Sequence, residues 1–361
     1  MRILIATDAW HPQVNGVVRT YERLIEQLGP LGVELSVLAP HEFRTVPCPT
    51  YPEIRLAVPS LRRVAERFEA FKPEAVHIAT EGPIGWMARR YCRARRLPFT
   101  TSFHTRFPEY LAQRFAVPTA WTTAVLRRFH NAGSGLMVAT PSLARELESQ
   151  AFERVLPWTR GVDTELFRPR PVRLFGAGPV FLCVGRIAAE KNINAFLDLD
   201  LPGRKVVVGG GPQLEELRAR YPGVLFTGKK TGEALAQCYA SADALVFPSR
   251  TDTFGMVLLE AMASGLPVAA FPVTGPIDVV KPGETGALSE DLRQAALAAL
   301  ELDRARGRAR ATEFSWENAA RLFLANITSA CLKEPARAPA RAKALRILSL
   351  PRKLSQTPRR S

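Results

Sequence analysis

The chain alternates short runs of β-branched and apolar residues with longer segments of helical periodicity, and this alternation occurs twice. Parallel strands cannot be joined by a tight turn, so a crossover helix usually connects them. The pattern therefore predicts an α/β protein with two Rossmann-like domains, each built on a parallel sheet. The first series begins with a strand at Arg2–Thr7, and the second begins with a strand at Val180–Val184.

The other predicted elements continue this alternation. In the first half, strands are expected at Val33–Leu38, Ala75–Ile78, Phe99–Phe103 and Leu136–Ala139. Helices are expected there at Val17–Leu28, Leu61–Phe71, Ile84–Arg96, Pro118–His130 and Ser142–Gln150. In the second half, strands are expected at Arg204–Val208, Val224–Thr227, Ala244–Phe247 and Val268–Ala270. Helices are expected there at Gln213–Tyr221, Glu233–Ser241 and Gly255–Ser264, with a last helix from Trp316.

Residues 168–179 are rich in Pro, Gly and Arg and separate the two series, as an interdomain linker does. The predicted organisation is a first domain over 1–167, this linker, a second domain over 180–315, a closing helix over 316–332 and a tail over 333–361. The tail is basic and low in aromatic residues, so we expect it to be disordered.

The net charge of +15 makes nucleic acid, an anionic membrane and anionic small substrates candidate partners. No apolar stretch approaches the ~18 residues of a spanning helix, so any membrane contact is expected to be peripheral. The N-terminal segment lacks the features of a secretory signal. The 5 cysteines include no C-x-x-C pair, which argues against a disulfide framework or a zinc site and fits a reducing cytosol.

The loop Asp8–Gly16 connects the first predicted strand to the first predicted helix and ends in Asn15-Gly16. Glycine lets the backbone approach a ligand closely, and a helix N-terminus attracts an anion. Gly16 is therefore a candidate anion-binding residue, although Asn-Gly is also a common turn. The dinucleotide-binding pattern G-x-G-x-x-G is absent.

The second series carries two cations, Arg186 and Lys191, just after its first strand. Open α/β sheets bind ligands beyond the carboxyl ends of their strands, so these cations are candidates to clamp a diphosphate. Two solvated surface charges are the alternative. The run Gly209–Gly211 follows another strand and predicts either close approach of the backbone to a nucleotide at Gly210 or a flexible turn.

Two acidic residues belong to the segment that begins the helix predicted at Gly255–Ser264. Asp252 lies beside the start of that helix, and Glu260 lies among apolar residues within it. A carboxylate in apolar surroundings needs a partner, and both hydroxyls of a ribose diol can donate to it. A helix-capping Asp and an exposed Glu are the alternative. His104 ends a predicted strand and is a candidate contact for a sugar hydroxyl or a phosphate, whereas no histidines show metal-ligand spacing.

Several segments together resemble glycosyltransferase family 4, the retaining enzymes with the two-domain arrangement called GT-B. The matching segments are Asn15-Gly16, Gly185-Arg186 with Glu190-Lys191, Gly161-Val162-Asp163 with Phe167, and the acidic pair Asp252 and Glu260. The resemblance covers essentially residues 1–330. It implies two domains that face each other across a cleft, with the C-terminal helix returning to the first domain.

The resemblance also implies roles for the candidate residues. The diphosphate of a nucleotide-sugar donor would be held by Gly16, Arg186 and Lys191. Glu260 would hold the ribose, while the candidate catalytic residues Asp252 and His104 would face the transferred sugar. The implied mechanism needs no metal, no cofactor and no protein nucleophile, because the leaving phosphate takes the acceptor proton. Asp252 stands where the family usually has Glu, which leaves the sugar specificity open.

Two segments, 10–17 and 103–110, resemble bacterial glycosyltransferases of membrane lipids, such as diacylglycerol glucosyl- and glucuronosyltransferases and related mannosyltransferases. The resemblance implies transfer of a hexose or hexuronic acid from a UDP- or GDP-linked donor to such a lipid, with a soluble or polysaccharide acceptor as the alternative. The helices at Leu61–Phe71 and Ile84–Arg96 combine arginines, including Arg89, with aromatic residues, as interfacial helices do. Ordinary amphipathic surface helices are the alternative. The expected location is peripheral, on the cytoplasmic face of the cell membrane.

Two other classes of protein fit the sequence less well. A nicotinamide or flavin oxidoreductase predicts G-x-G-x-x-G and an acidic residue closing the second strand, which here ends in Leu38-Ala39-Pro40. A basic nucleic-acid-binding protein predicts a binding module with base-stacking aromatic residues, which the sequence does not show. We therefore expect a nucleotide-sugar donor and no nucleic acid.

Overall fold

The computed structural model describes residues 1–13, 15–48, 51–109 and 117–332. The predicted basic tail over 333–361 lies outside the described residues. So do Val14 and Tyr110, which belong to the two segments that resemble glycosyltransferases of membrane lipids. The described residues form two α/β domains, and each domain contains a 6-stranded sheet. The predicted fold class is therefore confirmed.

The first domain has a parallel sheet of order β2-β1-β5-β6-β7-β8 and a separate antiparallel hairpin, β3–β4. Its strands are β1 (Arg2–Ala6), β2 (Glu34–Leu38), β3 (Thr45–Cys48), β4 (Tyr51–Ala57), β5 (Ala75–Ile78), β6 (Thr100–Phe103), β7 (Gly135–Val138) and β8 (Val155–Pro157). Its helices are α1 (Gly16–Leu28), α2 (Leu61–Phe71), α3 (Pro83–Arg95), α4 (Thr119–His130) and α5 (Pro141–Ser149). The sequence pattern predicts neither the hairpin nor β8, and the three residues of β8 carry little periodicity.

The second domain has a parallel sheet of order β11-β10-β9-β12-β13-β14. Its strands are β9 (Val180–Val184), β10 (Arg204–Val208), β11 (Leu225–Phe226), β12 (Ala244–Phe247), β13 (Val268–Ala270) and β14 (Gly286–Leu288). The helices that follow in chain order are α6 (Asn194–Leu197), α7 (Leu214–Arg220), α8 (Gly232–Ala240), α9 (Met256–Ala263), α10 (Pro276–Val279), α11 (Leu292–Leu300), α12 (Arg304–Thr312) and α13 (Trp316–Ile327). The sequence pattern does not predict β14, α10, α11 or α12.

Helices cover both faces of the sheets, which explains why the inner strands read as continuous apolar runs. All residues of β5, β6 and β7 are buried. The last helix, α13, crosses back to the first domain, where Trp158 Nε1 donates to the carbonyl of Ala319 at 3.1 Å. Phe323 and Ile327 of α13 pack into the core of that domain. The predicted return of the C-terminal helix is therefore confirmed.

Some of the aromatic residues in the two helices that were expected to touch a membrane are buried in the protein. Phe68 of α2 and Tyr91 of α3 are buried, with their ring centroids 4.5 Å apart. Arg89 is buried too, and its guanidinium donates to the carbonyls of Phe129 and Arg128. The core needs the apolar face of each helix, so the prediction that Phe68, Tyr91 and Arg89 are interfacial is wrong. Within the described residues, no helix has the length and apolar character needed to cross a bilayer.

Candidate active site

The two domains meet at the carboxyl ends of their strands, where the predicted site residues lie on loops, at a helix start and, in the case of Glu260, within a helix. One contact across this cleft joins the loop after β12 to the end of β6, since Thr253 Oγ1 donates to the carbonyl of His104 at 2.8 Å. Another joins α1 to α9, where Arg19 Nη1 lies 3.1 Å from Glu260 Oε1. The cleft thus places residues from both halves of the chain in one site.

The N-termini of α1 and α9 face each other across the cleft. Asn15 caps α1, because its Oδ1 accepts from the backbone N–H groups of Val17 and Val18, both at 3.0 Å. Gly16 lies against the first residue of α9, since a Cβ placed on Gly16 would be 3.8 Å from Met256 Cγ. Each helix start carries the positive end of a dipole, so the space between them favours an anion.

Helix α9 begins at a turn that favours glycine. Gly255 has a φ of 85°, and a Cβ there would lie 2.9 Å from Leu258 Cδ1. No described side chain caps this helix, in contrast to α1. The first N–H groups of α9 are therefore suited to an anionic ligand such as a phosphate.

Lys191 and Asp252 form an ion pair through Nζ and Oδ1 at the cleft. Lys191 follows β9 and Asp252 follows β12, and these two strands are neighbours in the second sheet. The other oxygen, Asp252 Oδ2, is buried and has no hydrogen-bond partner among the described residues. A buried acceptor without a donor is costly, so this oxygen is suited to a ligand hydroxyl.

Arg186 and the glycine run lie on neighbouring loops of the second sheet. Arg186 is half-buried directly after β9. The N–H of Ile187 donates to the carbonyl of Gly210 at 2.9 Å, and a Cβ on Gly209 would lie 1.8 Å from the carbonyl oxygen of Gly185. The absence of side chains at these glycines therefore lets their backbone pack closely against the loop that carries Arg186.

Glu260 is buried on α9, so the alternative of an exposed glutamate is wrong. Its carboxylate accepts hydrogen bonds from two elements: Arg19 of α1 at 3.1 Å and the Tyr239 hydroxyl of α8 at 2.8 Å. Burial raises the pKa of Glu260, whereas the charge of Arg19 and the hydrogen bond from Tyr239 lower it. The effect of burial is the largest, so the pKa lies above its ordinary value.

His104 lies at the cleft edge as predicted, but both of its ring nitrogens are engaged within the first domain. Arg160 Nη2 lies 3.1 Å from Nδ1, and the Tyr21 hydroxyl lies 2.9 Å from Nε2. Because a guanidinium can only donate, Nδ1 accepts and the neutral ring carries its proton on Nε2. Burial and then the charge of Arg160 lower the pKa of His104 well below its ordinary value. Among the described side chains, no group of three or more His, Cys, Asp and Glu residues could hold a metal ion.

Four residues that contact predicted site residues were not predicted from the sequence: Arg19, Tyr239, Tyr21 and Arg160. One signal exists for Arg19, which is a cation in the first turn of α1, where the helix dipole disfavours positive charge. Such a cation needs a compensating partner, but its partner lies 241 residues away. The other three are buried or partly buried contacts with no local pattern.

Two family comparisons divide the chain much as the two sheets do. Residues 14–166 match the family described as Glycosyltransferase Family 4. Residues 178–303 match the family described as Glycosyl transferases group 1. The first match includes every strand of the first sheet except β1, and the second includes every strand of the second sheet.

Named relatives are similar along most of this chain. A sulfoquinovosyl transferase of Arabidopsis thaliana is 30% identical over 76% of this chain, and the match spans only 61% of the plant protein. A GDP-mannose-dependent alpha-mannosyltransferase of Mycobacterium tuberculosis is 30% identical over 80% of this chain and 83% of its own. An alpha-monoglucosyldiacylglycerol synthase of Streptococcus pneumoniae is 24% identical over 75% of this chain and 71% of its own.

Solved structures share the fold at lower identity. Sucrose-phosphate synthase from Thermosynechococcus elongatus superposes with a TM-score of 0.72 and 21% identity, covering 90% of this chain and 97% of its own. HepE from Anabaena, in complex with UDP-glucose, gives a TM-score of 0.67 and 16% identity, covering 91% of this chain and 100% of its own. These likenesses establish the architecture of two domains around a cleft.

The fold, the cleft and these similarities define a glycosyltransferase of the GT-B type, a class that takes its sugar from a nucleotide donor. The predicted enzyme class is confirmed. Within that class, the chain belongs to glycosyltransferase family 4.

Proposed function

We propose that this glycosyltransferase moves a hexose or hexuronic acid from a UDP- or GDP-linked donor to a membrane lipid such as diacylglycerol, with retention of the anomeric configuration. The main support is the convergence at one cleft of two helix N-termini, the pair Lys191 and Asp252, and buried Glu260. Such a set recognises an anion, a sugar hydroxyl and a ribose diol, and a nucleotide sugar carries all three. Incubation with a panel of UDP- and GDP-sugars, with and without diacylglycerol vesicles, tests the proposal.

In the proposed complex, the donor diphosphate lies between Gly16 and the N-terminus of α9. Arg186 and Lys191 neutralise its charge from the loop after β9, and Gly210 borders the nucleotide. Lys191 then exchanges Asp252 for phosphate as its partner. That exchange frees the Asp252 carboxylate to accept from hydroxyls of the transferred sugar, for which Oδ2 is already available.

The proposed reaction breaks the bond between the sugar and the leaving phosphate oxygen and forms a bond to the acceptor oxygen on the same face. The leaving phosphate takes the acceptor proton, so no protein nucleophile is needed. Arg186 and Lys191 stabilise the negative charge that develops on the phosphate as the bond breaks. His104, oriented by Arg160 and Tyr21, borders the sugar as a positioning residue.

Activity is expected to survive EDTA. In the proposed complex, Arg186, Lys191 and the helix N-termini neutralise the negative charge of the diphosphate, so no metal ion is needed for this. With an α-linked donor, NMR of the product is expected to show an α-linkage. A β-linked product would contradict retention. Complete loss of activity on chelation, reversed by excess Mg²⁺, would contradict the proposed role of the cations.

A basic surface on the first domain supports a lipid acceptor. Arg93 of α3 and Arg128 of α4 are exposed, and neither has an ion-pair partner among the described residues. Both lie near Arg89, where burial and then these two charges lower the Arg89 pKa to about 10. Trp121, about two turns before Arg128 on α4, is 66% exposed. Cations beside an exposed tryptophan are typical of surfaces that bind anionic membranes.

Changing Arg93 and Arg128 to Glu and Trp121 to Ala is expected to weaken binding to phosphatidylglycerol vesicles, since each cation near such a surface contributes about 1 kcal/mol. Transfer to diacylglycerol is expected to slow, while affinity for free UDP or GDP stays unchanged. Binding of the wild type is expected to fall as salt rises, because exposed charges are screened beyond ~10 Å at 0.1 M. Vesicle sedimentation, a transfer assay with diacylglycerol and calorimetry with UDP or GDP provide the three measurements.

A matched control reverses Arg218 and Arg220, exposed cations of the second domain, and should retain vesicle binding. Deleting the chain after residue 334 tests the basic tail separately, and we expect a smaller effect. If the wild type ignores anionic vesicles at low salt and glycosylates a soluble or polysaccharide acceptor instead, the lipid proposal fails. The location that we propose for the enzyme is the cytoplasmic face of the cell membrane.

A further inference from the structure

We propose that Arg19 is a donor-positioning residue supplied by the first domain, which holds the Glu260 carboxylate in the charged and oriented form that a ribose diol recognises. The inference rests on the proposed ribose role of Glu260. It gives the first domain a part in binding the nucleotide, although the other residues proposed to hold it lie mostly in the second domain.

The hydrogen bonds of Glu260 leave acceptor positions on its carboxylate for a diol. Arg19 Nη1 donates to Oε1 at 3.1 Å, and the Tyr239 hydroxyl donates to Oε2 at 2.8 Å. An ionised carboxylate offers about four acceptor positions, so these two donors leave about two. The two hydroxyls of a ribose can fill those positions, provided that the carboxylate stays ionised and does not rotate. Donors on both oxygens, from two different helices, prevent that rotation.

The surroundings of Glu260 make its charge depend on Arg19. Its neighbours Leu259, Ala261 and Met262 are fully buried. The titratable groups that face this carboxylate or its partner are Arg19 from α1, Tyr239 from α8 and Cys183 from β9. Of these three only Arg19 is positive, and burial alone would favour the neutral acid.

The contact also links the charge of Glu260 to the closed cleft. Arg19 lies on the helix that follows Gly16, and Glu260 lies on the helix that follows Asp252. The two domains must therefore be together for the cation to reach the carboxylate. An open cleft would leave Glu260 without its cation and weaken its hold on ribose, so closure and donor binding favour each other.

The test compares R19M with R19K by calorimetry, using UDP and GDP as probes between pH 6 and 8.5. Of UDP and GDP, the nucleotide that the wild type binds more tightly is the one to compare. At pH 7, R19M is expected to bind it about tenfold more weakly than the wild type does, as loss of a charge-assisted interaction predicts. Losing the cation raises the pKa of Glu260 further. As the pH is lowered, the nucleotide affinity of R19M should therefore begin to fall at a higher pH than the affinity of the wild type does. R19K should restore both affinity and pH profile.

Two further variants make the outcomes distinct. R23M removes a cation one turn further along α1 that pairs with Glu26 and Asp163, and it should bind as the wild type does. The double variant R19M/E260Q should bind no more weakly than E260Q alone, because Arg19 acts through Glu260. Melting temperatures show whether each variant is folded.

The results separate this inference from the proposed function. If E260Q binds nucleotide as tightly as the wild type, the ribose role itself fails. If E260Q binds weakly but folded R19M keeps wild-type affinity and pH profile, only the inference about Arg19 is overturned. Tighter binding by R19M would also overturn it, since Arg19 would then compete with ribose for the carboxylate.

Discussion

Changing Lys191 to alanine is expected to lower kcat/KM for the sugar donor at least about thirtyfold, as loss of roughly 2 kcal/mol of charge-assisted contact predicts. Lys191 already pairs with an anionic group at the cleft, the Asp252 carboxylate, and lies on the loop after β9. In the proposed complex, this amine stabilises the charge that grows on the leaving phosphate, so kcat should fall as well as donor affinity. R186A is expected to act in the same direction. Steady-state kinetics with the best donor of the panel gives both constants.

Loss of Lys191 also leaves Asp252 without its cation, so further variants are needed to assign the effect. K191R keeps the charge and should recover part of the activity. D252N should retain more donor affinity than K191A but lose kcat, because Asp252 is proposed to face the sugar. K281A provides the control, since Lys281 is an exposed lysine of the same domain that pairs with Glu313. Unchanged kcat/KM in both K191A and R186A would refute the diphosphate clamp.

The second large effect is expected from E260Q, which should bind free UDP or GDP at least about tenfold more weakly while keeping its fold. Glutamine has the same shape and can still accept from Tyr239, but its amide cannot serve as a charged acceptor for both ribose hydroxyls. The pKa of Glu260 is raised by burial, so protonation at falling pH should weaken nucleotide binding by the wild type. E260Q should lack this pH dependence. Isothermal calorimetry with UDP and GDP between pH 6 and 8.5 measures the nucleotide affinity of both proteins.

A nucleotide analogue without ribose hydroxyls sharpens this experiment. A 2′,3′-dideoxy nucleoside diphosphate should bind the wild type and E260Q equally, because the contact in question is missing from both complexes. E290Q serves as a matched control, since Glu290 is exposed and pairs only with Arg250 among the ion pairs described. Equal affinity of E260Q and the wild type for ordinary UDP and GDP would exclude the ribose role.

The architecture could be predicted from the sequence because it depends on local periodicity. Buried parallel strands such as Ala75–Ile78 and Ala244–Phe247 must be apolar along their length, and their crossover helices must be amphipathic. Two strands that the sequence pattern did not predict, β8 and β14, have only three residues each and carry little periodicity. The candidate residues at the cleft could be located for a related reason, since ligands bind beyond the carboxyl ends of such strands.

The orientation of amphipathic helices was decided by the tertiary structure. In the sequence, the arginines and aromatic residues of α2 and α3 fit a membrane surface as well as a protein core. The sheet of the first domain buries Phe68, Tyr91 and even Arg89, whose guanidinium finds backbone carbonyls there. The periodicity of a helix shows that it has an apolar face, but it does not show whether a membrane or the protein core covers that face.

The partners of the site residues likewise depend on how distant parts of the chain pack together. From the sequence alone it follows that Glu260 is a carboxylate on an apolar helix and therefore needs a donor. It does not follow from the sequence that Arg19, 241 residues away, and Tyr239 supply the bonds. The same holds for Lys191 and Asp252, which two neighbouring strands bring together. Burial makes a polar partner necessary, whereas the packing of distant elements selects which residue it is.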